Sequence, residues 1–229
     1  MKLKVIITGS TGMVGKGALY ECIDHESVES VLVLNRSPLG MQHPKISEVL
    51  ASDFYRPEMF LEKLRGYNTF FFCMGTTAAG KPADEYKKIT YDLTTGIAKA
   101  FLEQNPDSTF IYVSGVGTES AEKGRSTWAG VKGKTENDLM AMKFRQAFMF
   151  RPGLILPKKG IKSRTSWYNW MYTITWPLFP LFRAFPKSVT DTSRVGLAMI
   201  ECAIHGYEKK IIETPDIYNL YLRQSQRKK

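Results

Sequence analysis

The chain has 229 residues, 43% hydrophobic and 24% charged, a globular composition that excludes fibrous or low-complexity classes. Lysine and arginine number 32 against 22 acidic residues, and the formal charge of +10 points either to an anionic partner (nucleic acid, membrane surface, phosphorylated ligand) or to a solvated basic surface. Three scattered cysteines (Cys22, Cys73, Cys202) exclude a disulfide framework and a cysteine-ligated metal, and with no apolar leader at the N-terminus the expected compartment is the cytoplasm.

The first predicted element is a buried strand, Val5 to Thr8. It runs into a turn with glycines at 9, 12 and 15, and a helix follows over Met13 to Asp24. Strand, glycine turn and helix in that order form the phosphate-binding start of a dinucleotide fold. Gly9 allows the tight turn, Gly12 lets backbone approach a pyrophosphate, and Gly15 lets the helix pack on the strand. The helix N-terminus adds free N–H groups and a positive dipole end. Gly9, Ser10, Thr11, Gly12, Met13, Val14 and Gly15 are therefore the candidate phosphate-binding set.

A second apolar strand, Val31 to Leu34, ends at Asn35 and Arg36. An NAD-specific site needs a carboxylate at that strand end to accept from the ribose 2′-hydroxyl. Asn-Arg instead suits a 2′-phosphate, which a carboxylate would repel and a guanidinium can pair with. The expected cofactor is NADP rather than NAD; the other reading makes Arg36 a surface charge in a turn. A weaker third strand, Ile46 to Ala51, leads to Asp53 and Phe54, placed either to contact adenine or to cap a turn. A helix is predicted over Pro57 to Leu64.

The fourth strand, Thr69 to Cys73, is apolar throughout and stops at Met74, Gly75, Thr76 and Thr77, where close approach to ribose or pyrophosphate is expected. A long helix, Asp84 to Gln104, precedes a fifth strand, Thr109 to Val113, which ends at Ser114 and Gly115. A helix over Trp128 to Phe144 carries Lys132, Lys134 and Glu136. A strand over Ala147 to Phe150 closes on Arg151, Pro152, Gly153 and Leu154. Asp191 and Thr192 cap a helix over Ser193 to His205, and the polar tail beyond Ile211 and Ile212 is expected to fray. Apolar strands alternating with helices imply a parallel, doubly wound α/β sheet of Rossmann type covered on both faces. The whole chain reads as one domain with a short C-terminal substrate-covering extension.

The combination GSTGMVG, the Asn-Arg strand end, CMGTT, YVSG, the segment from Lys132 to Glu136 and FRPG resembles the atypical, extended-type short-chain dehydrogenase/reductases. Within that group the pattern is similar to the small oxidoreductases typified by the Tat-interacting protein and to NAD(P)-dependent epimerase-like proteins. The resemblance implies cofactor contacts at Cys73, Met74, Gly75, Thr76, Val113, Pro152, Gly153 and Leu154. It also implies a Tyr-x-x-x-Lys pair in which the lysine binds the nicotinamide ribose and the tyrosine exchanges a proton with substrate. Here Lys132 matches, but Trp128 stands at the tyrosine position, and an indole N–H cannot exchange a proton near neutral pH. Ser114 lies one place before the expected catalytic hydroxyl, where Gly115 stands, so it is either catalytic or satisfies backbone at the strand end. Three readings stay open: another acid (Tyr91, Tyr168 or Tyr172), proton supply by water, or cofactor binding without turnover as a regulatory or interaction protein. Arg151 is expected to pair with a nearby carboxylate or an acidic substrate group.

Thr165 to Phe182 carries no charge and holds three of the four tryptophans. As part of residues 155–190 it is read as an aromatic lid or substrate segment, as a patch pairing two subunits, or as a helix in a membrane interface flanked by Lys158, Lys159, Lys162, Arg164, Arg183 and Lys187. No nucleic-acid motif, nucleophile elbow or histidine cluster is present, and His25, His43 and His205 are isolated. The expected activity is hydride transfer to or from a small carbonyl or alcohol of unknown identity.

Overall fold

The computed structural model describes residues 2–120, 127–161 and 188–227. Inside its main sheet lies β1 (Leu3–Thr8), flanked by β2 (Val28–Asn35) and β4 (Thr69–Phe72). Outward from β2 is the edge strand β3 (Ile46–Leu50); outward from β4 come β5 (Thr109–Val113), β6 (Gln146–Arg151) and β9 (Ile211–Glu213). The order is β3-β2-β1-β4-β5-β6-β9, and every pairing is parallel. This is the expected doubly wound sheet, and its order reverses between β1 and β4.

Alternation along β4 shows how the sequence builds two faces. Phe71 joins an aliphatic cluster under α1 (Met13–Asp24), α5 (Thr192–His205) and α6 (Thr214–Arg227). Phe70 and Phe72 point the other way, into an aromatic cluster beneath α3 (Leu93–Gln104) and α4 (Thr127–Ala141). There Phe70 meets Phe101 edge-on at 5.1 Å and Phe110 at 5.2 Å. Each fully buried ring contributes roughly 1.5–3 kcal/mol of transfer free energy.

Glycines set the spacing on the aliphatic side. A Cβ on Gly17 would lie 2.7 Å from Thr192, and one on Gly196 would lie 3.0 Å from the Ala18 backbone. Asp191 caps α5 by accepting from the Arg194 N–H at 2.9 Å, as expected.

Several elements differ from expectation. Pro57 to Leu64 forms two short 3-10 turns (Pro57–Met59 and Leu61–Leu64) because Phe60 between them is held in the core. The long helix is α2 (Ala83–Lys87) joined to α3 through a π turn, Lys88–Asp92. The frayed tail is corrected: residues 214–227 form α6, whose Ile217 and Leu220 are fully buried. Its Gln224 Nε2 lies 3.1 Å from Nε2 of the buried His25 at the end of α1. A second small sheet, β7 (Leu154–Leu156) with β8 (Val189–Asp191), was not expected.

Candidate functional site

The glycine turn sits where the strand order reverses. Gly9 has φ +67°, and a Cβ there would lie 2.6 Å from the Cys73 carbonyl oxygen, so only glycine fits beside the end of β4. The Gly12 N–H donates to the Gly9 oxygen at 2.8 Å, and a Cβ on Gly15 would come within 2.2 Å of that oxygen. Gly15 is thus fixed by packing against the turn itself. No side chain caps the N-terminus of α1, and its first turn has no acidic residue. Its amide hydrogens and dipole end remain open to an anion.

A pocket of about 380 Å³ opens against this turn, lined by Gly9, Thr11, Gly12, Leu34 to Ser37, Phe54 and Cys73 to Gly75. Arg36 is exposed at its rim and has no ion pair among the described residues. No carboxylate is among the described lining residues. Asn35 is buried: its Oδ1 accepts from Ser10 Oγ at 2.8 Å, and its Nδ2 donates to Glu48 Oε1 at 3.0 Å. Ser10 and Asn35 therefore tie the turn to the end of β2. Asp53 Oδ1 accepts from the Tyr55 N–H at 2.8 Å, closing a turn that presents Phe54 to the pocket. Met13 and Val14, both half-buried, open α1. Half-buried Cys73 reaches the pocket, and burial pushes its thiol up to about 12.

A second pocket, about 690 Å³, adjoins the first through the segment after β4. Thr76, Thr77, Ala78, Ala79, Tyr86, Val116, Trp128 and Lys132 line it. Lys132 Nζ donates to the Ser114 carbonyl oxygen at 2.5 Å and lies 5.7 Å from the Trp128 ring centroid. Burial lowers the Lys132 pKa from its ordinary value, and the nearby Glu136 carboxylate partly restores it. Four residues along a helix bring Trp128 and Lys132 to one face, as the spacing implied. A Cβ on Gly133 would lie 1.8 Å from the Glu119 oxygen, so the loop after β5 lies directly on α4.

Behind Lys132 is a buried charge network. The Glu136 side chain is fully buried and pairs with Arg151, whose side chain is 11% exposed. Arg151 Nε lies 3.0 and 3.1 Å from the two carboxylate oxygens, and its Nη2 also donates to Ser120 Oγ at 2.7 Å. Ser114 is buried, and its hydroxyl lies 2.5 Å from Glu136 Oε1 and 3.2 Å from the Phe150 oxygen. With one proton to give, it donates to the nearer, charged acceptor. The Ser114 side chain is thus engaged below the site, while its carbonyl faces Lys132. Arg151 takes the nearby carboxylate of the two partners expected for it.

Tyr91 donates to Asp138 and lies under the Lys134 ammonium, 5.0 Å from ring centroid to Nζ; it is not among the residues lining the second pocket. Tyr168 and Tyr172 lie outside the described residues. Tyr86, which does line the pocket, carries no sequence signal beyond an apolar-face position in a helix. Half-buried Val113 ends β5. Pro152 accepts at its oxygen from the Val116 N–H, the Gly153 N–H donates to Thr214 Oγ1 at 2.8 Å, and the Leu154 N–H donates to the Ser188 oxygen. Most of the aromatic stretch, including Thr165 to Phe182, lies outside the described residues. Ahead of that stretch, Lys159 Nζ pairs with Glu21 at 2.9 Å and Asp24 at 2.8 Å, both on α1. Among the described residues no helix is long and apolar enough to cross a membrane, and no cluster of three acidic, histidine or cysteine side chains is placed to hold a metal.

Strand order and the glycine turn at the reversal point define a Rossmann-type, doubly wound α/β fold, and Lys132 of α4 reaches the end of β5. Solved structures agree on the fold. The NAD+ complex of Bordetella bronchiseptica WbmF aligns with TM-score 0.65 at 13% identity, covering 98% of this chain and 78% of that one. Thermoplasma acidophilum aldohexose dehydrogenase aligns with TM-score 0.66 at 11% identity, covering 94% of each chain. A short-chain dehydrogenase/reductase of Saccharomyces cerevisiae aligns with TM-score 0.66 at 12% identity over 95% of this chain and 99% of that one. No protein-family model matches the chain. Sequence relatives are more specific. The mitochondrial protein FMP52 of Debaryomyces hansenii is 34% identical over 201 residues, 85% of this chain and 86% of its own. FMP52-1 of Scheffersomyces stipitis, also named mitochondrial, is 30% identical over 159 residues, 69% of each. The chain belongs to the FMP52 family. Those names overturn the cytoplasmic expectation, which rested on the thiol count and the N-terminal residue pattern alone. Neither feature reports a mitochondrial destination.

Proposed function

We propose that this protein is an NADP-preferring oxidoreductase of the atypical short-chain type, acting in or on mitochondria as its relatives' names indicate. The observation that carries the cofactor choice is the end of β2. Arg36 is exposed at the pocket rim, Asn35 replaces a carboxylate, and its amide is already held by Ser10 and Glu48. A 2′-phosphate there meets a guanidinium and no anion on the pocket wall. The residues fit the dinucleotide at the turn: α1 has no side-chain cap and no acidic residue in its first turn, so its opening amides are available to a pyrophosphate. The turn from Gly9 to Gly15 would hold the pyrophosphate, Phe54 would border the adenine, and Lys132 would bind the nicotinamide ribose. The bound dinucleotide supplies a hydride donor or acceptor. The chain supplies the second pocket, where Lys132 and Trp128 sit against a carbonyl or alcohol.

Titrating NADPH and NADH separately into the wild type and Arg36→Ala tests the cofactor choice. Tighter NADPH binding, with the preference lost in Arg36→Ala, supports it; equal affinity in the wild type removes it. A second reading, cofactor binding without turnover, is favoured by Trp128. The general acid is worth ~10²–10⁴-fold in rate, so its loss would leave a binder. A large gain in reductase activity from Trp128→Tyr would mark a dormant redox site, and no change would point to another acid or to no chemistry.

A further inference from the structure

The second pocket is divided between apolar and polar side chains. Ala78, Ala79, Val116 and Trp128 give it an apolar wall, and Thr76, Thr77, Tyr86 and Lys132 supply its polar side chains. Among the described lining residues there is no carboxylate, and the titratable groups are Tyr86 and Lys132. Hydroxyls set against the apolar wall would go unpaired, which is costly when they are buried. An uncharged carbonyl compound with an apolar tail would lay the tail on that wall and turn its oxygen to Lys132.

The two titratable groups are not equivalent as proton donors. Tyr86 is 3% exposed, and burial raises its pKa while its hydroxyl is engaged by Thr90 one turn along. Lys132 is half-buried at the pocket wall, and burial moves its pKa the other way, toward neutrality. One of its three N–H bonds is held by the Ser114 carbonyl, which fixes the ammonium and leaves two for a ligand. Trp128 covers one side of it, and the ring is itself held against Gly117, where a Cβ would lie 3.1 Å from the indole.

We infer that the second pocket takes an apolar, uncharged aldehyde or ketone, and that Lys132 itself donates the proton to the carbonyl oxygen. This rests on the oxidoreductase reading above. An Nζ–H bond breaks and an O–H bond forms at the former carbonyl oxygen. Its electron pair comes from the C=O π bond as the carbon accepts hydride, for which a reduced nicotinamide dinucleotide is the co-reactant. The positive charge leaves Lys132, and solvent reprotonates the amine. Trp128 then serves as an apolar wall, and the tyrosine missing from its position is not needed.

Reductive trapping tests the assignment with no cofactor present. The full chain is incubated with hexanal and cyanoborohydride near neutral pH, and modified lysines are mapped by mass spectrometry. A carbonyl seated in the pocket lies within bonding reach of Nζ, and a lysine of lowered pKa has more free amine. Lys132 is expected to be alkylated several-fold faster than the exposed Lys63 and Lys87. Glyceraldehyde, of similar reactivity but polar, is expected to label it poorly. Labelling of Lys132 no faster than Lys63 and Lys87, or equally by both aldehydes, overturns the assignment. Lys132→Arg keeps the charge but cannot give up a proton near neutral pH. It is expected to bind NADPH and lose hexanal reduction, with Tyr86→Phe retaining most of it; the reverse pattern overturns the assignment. Failure of NADPH to bind the wild type defeats the oxidoreductase reading instead, and the trapping result is independent of that outcome.

Discussion

Glu136→Ala separates the buried network from the surface charges around it. The wild-type carboxylate is fully buried, accepts from Arg151 through more than one nitrogen and takes the Ser114 hydroxyl. Removing it leaves an almost buried guanidinium with Ser120 Oγ as its remaining partner in this cluster. Breaking a buried ion pair from one side typically costs about 3–5 kcal/mol. That is a large share of the roughly 5–15 kcal/mol that holds a domain together. Urea unfolding followed by circular dichroism reads the loss as a fall in midpoint at unchanged slope. The double variant Glu136→Met with Arg151→Met is expected to recover most of it, because an apolar pair of similar size is often neutral against a buried ion pair. Lys132 adds a second readout. Glu136 raises its pKa, so in Glu136→Ala the amine frees at lower pH and its reductive labelling begins earlier. A loss below about 1 kcal/mol, typical of exposed pairs, or a double variant no more stable than Glu136→Ala, would refute the view that the carboxylate is buried by Arg151 rather than simply near it.

The other expectations concern the turn, a cap and two titrating groups. Gly15→Ala places a Cβ 2.2 Å from the Gly9 oxygen, so it is expected to displace the turn and abolish NADPH binding in a titration while leaving most helical signal intact. Asp191→Ala removes the cap on α5 and the partner of Lys158 and Arg194, and should cost about 1–2 kcal/mol in urea unfolding. Because burial lowers the Lys132 pKa, the unfolded chain binds more protons than the folded one between the folded pKa and the free lysine value near ~10.4. Stability therefore gains with rising pH in that window, and Lys132→Met is expected to lose the gain in thermal melts taken across it. Cys73, with its thiol held up to about 12, is expected to resist iodoacetamide near neutral pH even though it borders the first pocket.

Much of this was legible because it depends on local pattern. Apolar runs bounded by small residues gave β1, β2, β4, β5 and β6, and glycines at 9, 12 and 15 marked a tight turn, in which Gly15 packs on the turn itself rather than on the strand as expected. What stayed hidden depends on distant partners. Residues 214–227 are polar enough to look frayed, yet their few apolar positions fall on one face that α5 covers. β7 and β8 are three residues each and exist only because they pair across a long insertion. The same holds at the site. Lys132 and Trp128 were readable from a four-residue spacing, and Arg151 was expected to meet a carboxylate, but its partner Glu136 was one helix position among several. Tyr86 gave no signal because its place on the pocket wall is set by how α2 docks.

A crystal structure of the protein soaked with NADP+ tests the central claim most directly. Pyrophosphate density is expected against the amides that open α1, the 2′-phosphate within hydrogen-bond distance of the Arg36 guanidinium, and the nicotinamide ribose at Lys132 Nζ. Adenosine density whose 2′-phosphate points away from Arg36, or a glycine turn left empty at saturating NADP+, would contradict it.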